Sequence, residues 1–280
     1  MAASIDLLLP VGADPYAAAE RDLVRTAVRD RLAAGLWVRD LPSVPAGDPD
    51  VGQGGDPFAH LGVLVGAGLD RGLGPSGTLG TASIILGVRH PLVVARAVAG
   101  LQAQARCRVA LGVGTGGKPA MNEALGISGR PMREFARQWR ELRAALHRPA
   151  DDAATAFVAP AGYRAPDMLL ATTDLGRWEA IEGQAEGWQT FLSTPEAYLR
   201  ALDAVRAVRV GPLQVCVRAD VDLAGDAPAP HIGERGRVRC TRRQLVALVR
   251  TWAQLPVDHL LLSVRGADPL AALREVHAAL

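Results

Sequence analysis

Residues whose types and spacing could do chemistry gather at a few places in this chain. One is the turn Gly112-Val113-Gly114-Thr115-Gly116-Gly117-Lys118. Its glycines let backbone N–H groups approach a ligand closely, Thr115 offers a hydroxyl and Lys118 a positive charge, a combination suited to phosphate or carboxylate. The spacing is not GxxxxGK[ST], so the turn is no nucleotide P-loop, and a plain tight turn is the competing reading. A second place is Thr172-Thr173-Asp174 with Arg177 one turn on. Unpaired N–H groups at a helix start favour an anion there, although Asp174 as a simple N-cap and Arg177 as a solvated charge explain the same residues.

Arg39-Asp40 closes a short apolar run. Asp40 could act as a general base if burial raised its pKa, but an ion pair with Arg39 or Arg89 is the preferred reading. His90, directly before Pro91, either touches a ligand or caps a helix. The run from Arg235 to Arg243 holds Arg235, Arg237, Arg239, Arg242 and Arg243, which could gather over a phosphate or an anionic substrate or simply form a solvated charge run. It lacks the interleaved aromatics of a nucleic-acid surface. No HExxH, GxSxG or Cys/His nucleophile pattern appears, and the histidines have no metal-ligand spacing.

These residues must be positioned by alternating elements. Short apolar runs at Ile5–Leu9, Gly35–Val38, Leu79–Leu86, Cys107–Val113, Met168–Ala171, Trp188–Leu192, Leu213–Val217 and Val257–Val264 read as buried strands. Helix signals fall between them. Asp14-Pro15 starts one helix, Phe58 to Leu69 forms the next despite its glycines, and His90-Pro91 opens a helix reaching Gln104. A longer helix from Pro131 to Leu146 shows an apolar face of Met132, Phe135, Trp139, Leu142 and Leu146. Thr172 to Asp174, Ser193-Thr194-Pro195, Thr241 and Asp268-Pro269 begin the rest. Strand and helix alternating about eight times predicts an α/β fold, a (β/α)8 TIM barrel, over residues 1–280 as a single domain. Long loops follow the second, fourth and seventh strands, the last from Ala219 to Arg239, which predicts a deep pocket at the C-terminal face.

Composition agrees with such a barrel. Of 280 residues, 49% are apolar, 21% charged and only 4% aromatic, so the core must be built from Ala, Val and Leu. A net charge of +2 gives no general pull toward nucleic acid or anionic lipid. Cys107, Cys216 and Cys240 form neither a disulfide framework nor a zinc motif, which suggests a reduced, cytoplasmic chain. The N-terminus MAASIDLLLP lacks a basic n-region and does not read as a signal peptide, and no apolar run approaches the ~20 residues of a membrane span.

The run GTASIILGVRHPLVVARAVAGLQAQARCRVALGVGTG resembles the central segment of the bacterial luciferase-like flavin monooxygenase family, which includes deazaflavin-dependent relatives. Leu36 to Pro42, Gly126 to Glu134, Glu186-Gly187-Trp188 and Val257-Asp258-His259 extend the resemblance over nearly the whole chain, closest to an uncharacterised oxidoreductase subgroup. It implies a barrel holding FMN, or a deazaflavin coenzyme, at the C-terminal ends of its strands, with the reduced cofactor activating oxygen or exchanging hydride with a small organic substrate. It further implies a non-proline cis peptide at Ala82-Ser83 beside the ring, a ring pocket shaped by Ala82, Ser83, Gly112, Gly114, Thr115 and Gly116, and a phosphate held near Thr172, Thr173 or Arg177. Asp40 and His90 are the candidate catalytic residues. A flavin reductase supplying reduced cofactor and a second copy of the chain are the implied partners, with Gly62 to Gly68 as a packing face. Two departures stand out. Leu41 replaces the His many relatives carry after an acidic residue, and Gln104 to Arg108 lacks the usual glycine turn. Alternatives are a non-catalytic flavin-binding barrel and a cofactor-independent ligand binder.

Overall fold

The computed structural model describes residues 3–10, 18–42, 55–116, 119–147, 163–209 and 211–280. Parallel strands β1 (Ser4–Leu9), β2 (Gly35–Val38), β3 (Thr78–Ile85), β4 (Arg108–Gly114), β5 (Asp167–Ala171), β6 (Gly187–Phe191) and β7 (Gln214–Leu223) follow one another around a barrel. The later strand β10 (His259–Gly266) closes it by pairing with both β7 and β1. This is the (β/α)8 architecture expected of the sequence. Its strands are buried on both faces, which is why they read as continuous apolar runs rather than alternating ones.

Two apolar layers follow from closure. Inside the barrel lie Leu8, Trp37, Ala82, Ala110, Leu169, Cys216 and Leu261. Large and small residues interdigitate here: a Cβ on Gly80 would run into the Trp37 ring. Outside, the opposite faces of the strands meet the helices, including α1 (Ala18–Arg29), α2 (Pro57–Gly66), α4 (Pro91–Gln104) and α6 (Met132–Leu146). On α6 the expected face is buried at Phe135, Trp139, Leu142 and Leu146.

Helix starts carry the signals seen in sequence at Thr194, Thr241 and Asp268, and α2 has a cap, Asp56, that the sequence reading did not single out. Asp56 accepts from the N–H groups of Phe58 and Ala59, Thr194 from Ala197 at α8 (Pro195–Val208), and Asp268 from Ala271 at α10 (Pro269–Ala279). A proline follows each cap, where its missing N–H costs nothing. Thr241 and Gln244 form a reciprocal capping box at α9 (Arg242–Ala253). The cap expected at Asp14-Pro15 lies outside the described residues.

Several expectations are corrected. The helix read from Phe58 to Leu69 ends at Gly66. Gly68 turns left-handed (φ 75°), and α3 (Leu69–Leu73) starts after it. Nor do Gly62 and Gly66 pack on the barrel, since a Cβ on either would meet nothing within 4 Å. The turn without glycine at Gln104 to Arg108 takes its geometry from Asp70, whose buried carboxylate accepts the Arg106 N–H at 2.8 Å. A short helix, α5 (Pro119–Ala124), occupies part of what read as loop after β4. The largest correction concerns Ala219 to Arg239. Its first residues extend β7, and a hairpin of β8 (His231–Ile232) and β9 (Arg237–Cys240) follows, with β9 pairing parallel to β7 beyond the end of β6.

Candidate functional site

The C-terminal ends of the strands open into a cavity of about 840 Å³, near the top of the ~300–1,000 Å³ range of small-molecule sites. One side is a shelf of small residues. β3 shifts register against β4 between Thr81 and Ile84, and the Ala82-Ser83 peptide bond is cis, as the resemblance implied. Ala82, Ser83, Gly114 and Ala171, from three adjacent strands, all line the cavity. A Cβ on Gly114 would lie 2.9 Å from the Ser83 Oγ and 3.4 Å from the Ala171 carbonyl, so only glycine leaves bare backbone there.

The shelf is braced from behind. The Gln189 side-chain amide donates to the Thr81 carbonyl at 2.9 Å, and the Thr81 hydroxyl donates to the Gly112 carbonyl at 2.9 Å. A Cβ on Gly112 would strike both the Gln189 amide and the Thr81 carbonyl. Gly112 is therefore not a cavity residue, as expected from the turn, but the space through which Gln189 reaches β3. Thr115 and Gly116 do reach the cavity. Gly116 has φ +81°, and a Cβ there would strike the Asn122 amide oxygen. Gly117 and Lys118 lie outside the described residues.

Thr172, Thr173 and Arg177 also line the cavity, but the helix start they flank is already occupied. Asp174 accepts the Gly176 N–H at 2.9 Å, and the Thr172 hydroxyl accepts the Asp174 N–H at 2.9 Å. Arg177 stands 3.7 Å from the Asp174 carboxylate. The helix that follows, α7 (Leu175–Ala180), is a short one capped by its own aspartate. That start offers an anion less than its sequence suggested.

Asp40 and His90 are both held by the scaffold. Asp40 is buried, accepts the Ile85 N–H at 2.8 Å, and takes both terminal nitrogens of Arg89, which also reaches Asp56 at 3.0 Å. Burial works against the Arg89 charge, yet these hydrogen bonds and carboxylates prevail and hold its pKa above the ordinary value. The ion-pair reading of Asp40 is the one realised. His90 is exposed, does not line the cavity, and accepts the Leu92 N–H at 3.2 Å as the cap of α4. It is corrected from candidate catalyst to helix cap.

Of the opposite wall, sequence reasoning found Arg235 and Arg237 of the basic run, which do line the cavity, and missed the rest. Asp220, on the extended half of β7, accepts from buried Arg39 and from Arg218, the latter at 3.0 Å. The Arg218 guanidinium lies 5.4 Å over the Phe191 ring, a cation–π distance. Its Nε is buried without a hydrogen-bond partner. The β8–β9 hairpin presses onto this wall: a Cβ on Gly236 (φ +72°) would meet the Arg218 carbonyl at 2.5 Å and the Leu192 N at 3.1 Å. From it Ile232, Glu234, Arg235 and Arg237 face the cavity. The signal that could have found this wall is the alternation Arg218, Asp220, Asp222 against Val217, Ala219, Val221.

Trp188 and Tyr198 close the side between shelf and wall. Their rings stack with centroids 6.0 Å apart, Trp188 donates to the Thr172 carbonyl at 2.8 Å, and the Tyr198 hydroxyl donates to the Pro256 carbonyl at 2.6 Å. Burial pushes the Tyr198 phenol well above its ordinary pKa. The cysteines are likewise poor nucleophiles. Burial, aided by nearby Asp70, raises Cys107 to about 12, and burial raises Cys240 to about 11 and Cys216 still more strongly.

The residues fit a flavin. A planar ring needs a flat surface free of branched side chains, which Ala82, Ser83, Gly114 and Ala171 provide, and a phosphorylated tail needs cations, which the arginines supply. Residues 78–210 match the model of the luciferase-like monooxygenase family. The chain is thus a (β/α)8 barrel carrying a luciferase-like monooxygenase segment from β3 through α8, the stretch where the resemblance was densest. No curated protein matches the sequence. Among solved structures, apo-MsnO8 is similar at 19% identity, covering 100% of this chain and 98% of its own, with a TM-score of 0.68. The monooxygenase RslO1 from Streptomyces bottropensis is similar at 17% identity, covering 98% of this chain and 96% of its own, with a TM-score of 0.68. A riboflavin lyase, RcaE, determined with modified FMN and riboflavin, is similar at 11% identity, covering 99% of this chain and 91% of its own, with a TM-score of 0.68. At these identities the likeness establishes the fold.

Proposed function

We propose that the protein is a flavin-dependent oxidoreductase of the luciferase-like kind, a monooxygenase using reduced FMN and oxygen on a small organic substrate. The observation that carries this reading is the bare shelf of Ala82, Ser83, Gly114 and Ala171 inside a cavity large enough for a cofactor and a substrate. The family match over residues 78–210 and the FMN named for RcaE support it. Bound reduced flavin supplies the electrons and the reactivity toward oxygen. The chain's own residues orient and shield: the shelf sets the height of the ring, Thr115 and Gly116 border it, and Thr172, Thr173 and Arg177 lie beside its tail. Leu41, Met121, Trp188 and Phe191 turn apolar surface toward the cavity, which limits the water that competes for reactive groups.

Proton handling is not assigned to Asp40, whose oxygens are taken by Arg89 and the Ile85 N–H. Reduced flavin would be delivered by a separate reductase. A second copy of the chain suits the exposed apolar residues Val63, Leu92 and Val93 on α2 and α4, beside the open Gly62 and Gly66. The free cysteines support a reducing, cytoplasmic setting, and no described helix is long and apolar enough to cross a membrane. The test is titration of the purified protein with FMN and with a deazaflavin coenzyme, followed by oxygen uptake when a flavin reductase regenerates reduced FMN. Saturable FMN binding and substrate-dependent uptake are expected. Absence of binding by either cofactor would overturn the reading.

A further inference from the structure

Ala82 and Ser83 belong to a strand, yet sheet pairing does not hold them. On one side the ladder between β2 and β3 ends at Val38 opposite Thr81. On the other, the ladder between β3 and β4 passes from Thr81 opposite Leu111 to Ile84 opposite Val113. Among the described residues, Ala82 and Ser83 therefore have no ladder partner on either side. Two side chains from other parts of the barrel grip the ends of this step instead. Gln189, reaching past β5 and β4 from β6, donates its amide to the Thr81 carbonyl at 2.9 Å, the last carbonyl before the step. Asp40, just beyond β2, accepts the Ile85 N–H at 2.8 Å, the second N–H after it. Both residues are buried, at 6% and 5% exposure, and both line the cavity. The arrangement constrains its surroundings. Gly112 must lack a Cβ for the Gln189 amide to pass, and Asp40 is oriented by Arg89, which Asp56 holds in turn. Burying an amide or a carboxylate costs free energy unless hydrogen bonds replace the lost water, and here a backbone group flanking the shelf supplies one at each end.

We propose that Gln189 and Asp40 are positioning residues for the flavin ring: they fix the Ala82-Ser83 backbone at both ends where sheet pairing is missing, and so set the height at which the ring is seated. This role rests on the flavin reading for the place of the ring and deepens it. A bulged step tied only through its covalent neighbours opens locally at little cost. Tied at both ends, it keeps one shape before the ligand arrives, and affinity gains from such preorganisation. Neither residue has to move a proton, in keeping with an Asp40 whose oxygens are already taken. The two ends can be cut separately. Gln189→Met keeps the length of the side chain and removes its donor. Asp40→Ala removes the acceptor, whereas the amide oxygen of Asp40→Asn still accepts the Ile85 N–H, and Arg89 keeps Asp56 in both.

The test compares the natural full chain with these three variants and with Leu8→Val, a control inside the barrel on β1 that does not line the cavity. Amide hydrogen exchange is measured first, without cofactor. Exchange over residues 82–85 should be about tenfold faster in Gln189→Met and Asp40→Ala, close to natural in Asp40→Asn, and no faster than in the other strands in Leu8→Val. In FMN titration of the folded proteins, affinity should fall about threefold to tenfold in Gln189→Met and Asp40→Ala, the scale of one net hydrogen bond, and stay within about twofold in the other two. The visible absorption bands of the bound flavin should be displaced in the same two variants alone. Exchange that rises evenly across the barrel, an equal FMN loss in Leu8→Val, or FMN bound by folded Gln189→Met as by the natural protein overturns the proposal. Asp40→Asn behaving like Asp40→Ala would give the effect to the ion pair and overturn the two-ended grip. A natural protein that binds no FMN removes the flavin reading and this role with it, while natural binding matched by Gln189→Met removes this role alone.

Discussion

The two ends of the barrel each hold a buried aspartate joined to neighbouring strands, and they use it differently. Toward the N-terminal end, Asp6 on β1 accepts from the Trp37 indole at 2.7 Å and contacts the His259 imidazole at 2.8 Å. Gly35 leaves it room, since a Cβ there would lie 2.6 Å from the Asp6 carboxylate. Trp37 fills the interior beside it, and both contacts fall on one carboxylate oxygen, Oδ2, within the packed core. At the C-terminal end, Asp220 sits between two arginines and faces a cavity. The first aspartate satisfies the donors of a packed core. The second holds arginines that line open space. A buried carboxylate is therefore no sign of a functional site until its partners and the space beside them are counted.

That contrast can be broken by substitution. Asp220→Ala leaves two cations without their shared carboxylate and should cost about 3–5 kcal/mol in urea unfolding. A loss under about 1 kcal/mol would mean that solvent reaches the arginines. Asp6→Ala should cost less, about 1–3 kcal/mol for the donors left unsatisfied. Its FMN affinity should match the natural protein, because its surroundings are core; a fall in FMN affinity would join the two ends functionally.

The smallest effect belongs to pH. Burial holds the His60 imidazole below its ordinary pKa, so the folded protein binds fewer protons than the unfolded chain. Stability should rise with pH up to the unfolded value of about 6.5 and be lost as pH falls below it. His60→Gln should flatten that slope in chemical unfolding followed from pH 5 to 7, and an unchanged slope would assign it to other groups.

The contrast also explains what was legible in the sequence. Most barrel strands declared themselves because parallel strands buried on both faces must be apolar throughout, and their helices because Thr194-Pro195, Thr241 and Asp268-Pro269 are caps with local chemistry. The shelf was legible only through the family resemblance, since small residues in a strand carry no charge or periodicity. The arginine wall was hidden for the opposite reason. Arg218 and Asp220, with Asp222 beyond them, interrupt the apolar run of β7, so two residues that build the site also disguised the strand that holds them. His90 misled because a histidine before a proline offers the same signal to a ligand and to a helix start, and only its bond to the Leu92 N–H separates the two. Gly112 misled in a similar way, for Gln189 arrives from β6, far away in sequence.

The central claim is that the small-residue shelf seats a flavin, and quenching of FMN fluorescence on titration tests it most directly. The natural protein should bind FMN saturably with one site per chain. Gly114→Val, which places a branched side chain on the shelf against Ser83, should weaken FMN binding about tenfold to a hundredfold, while the overpacking also lowers its unfolding stability by about 1–3 kcal/mol, so binding is read at a temperature where the variant is folded. FMN binding equally well to folded Gly114→Val would contradict the account.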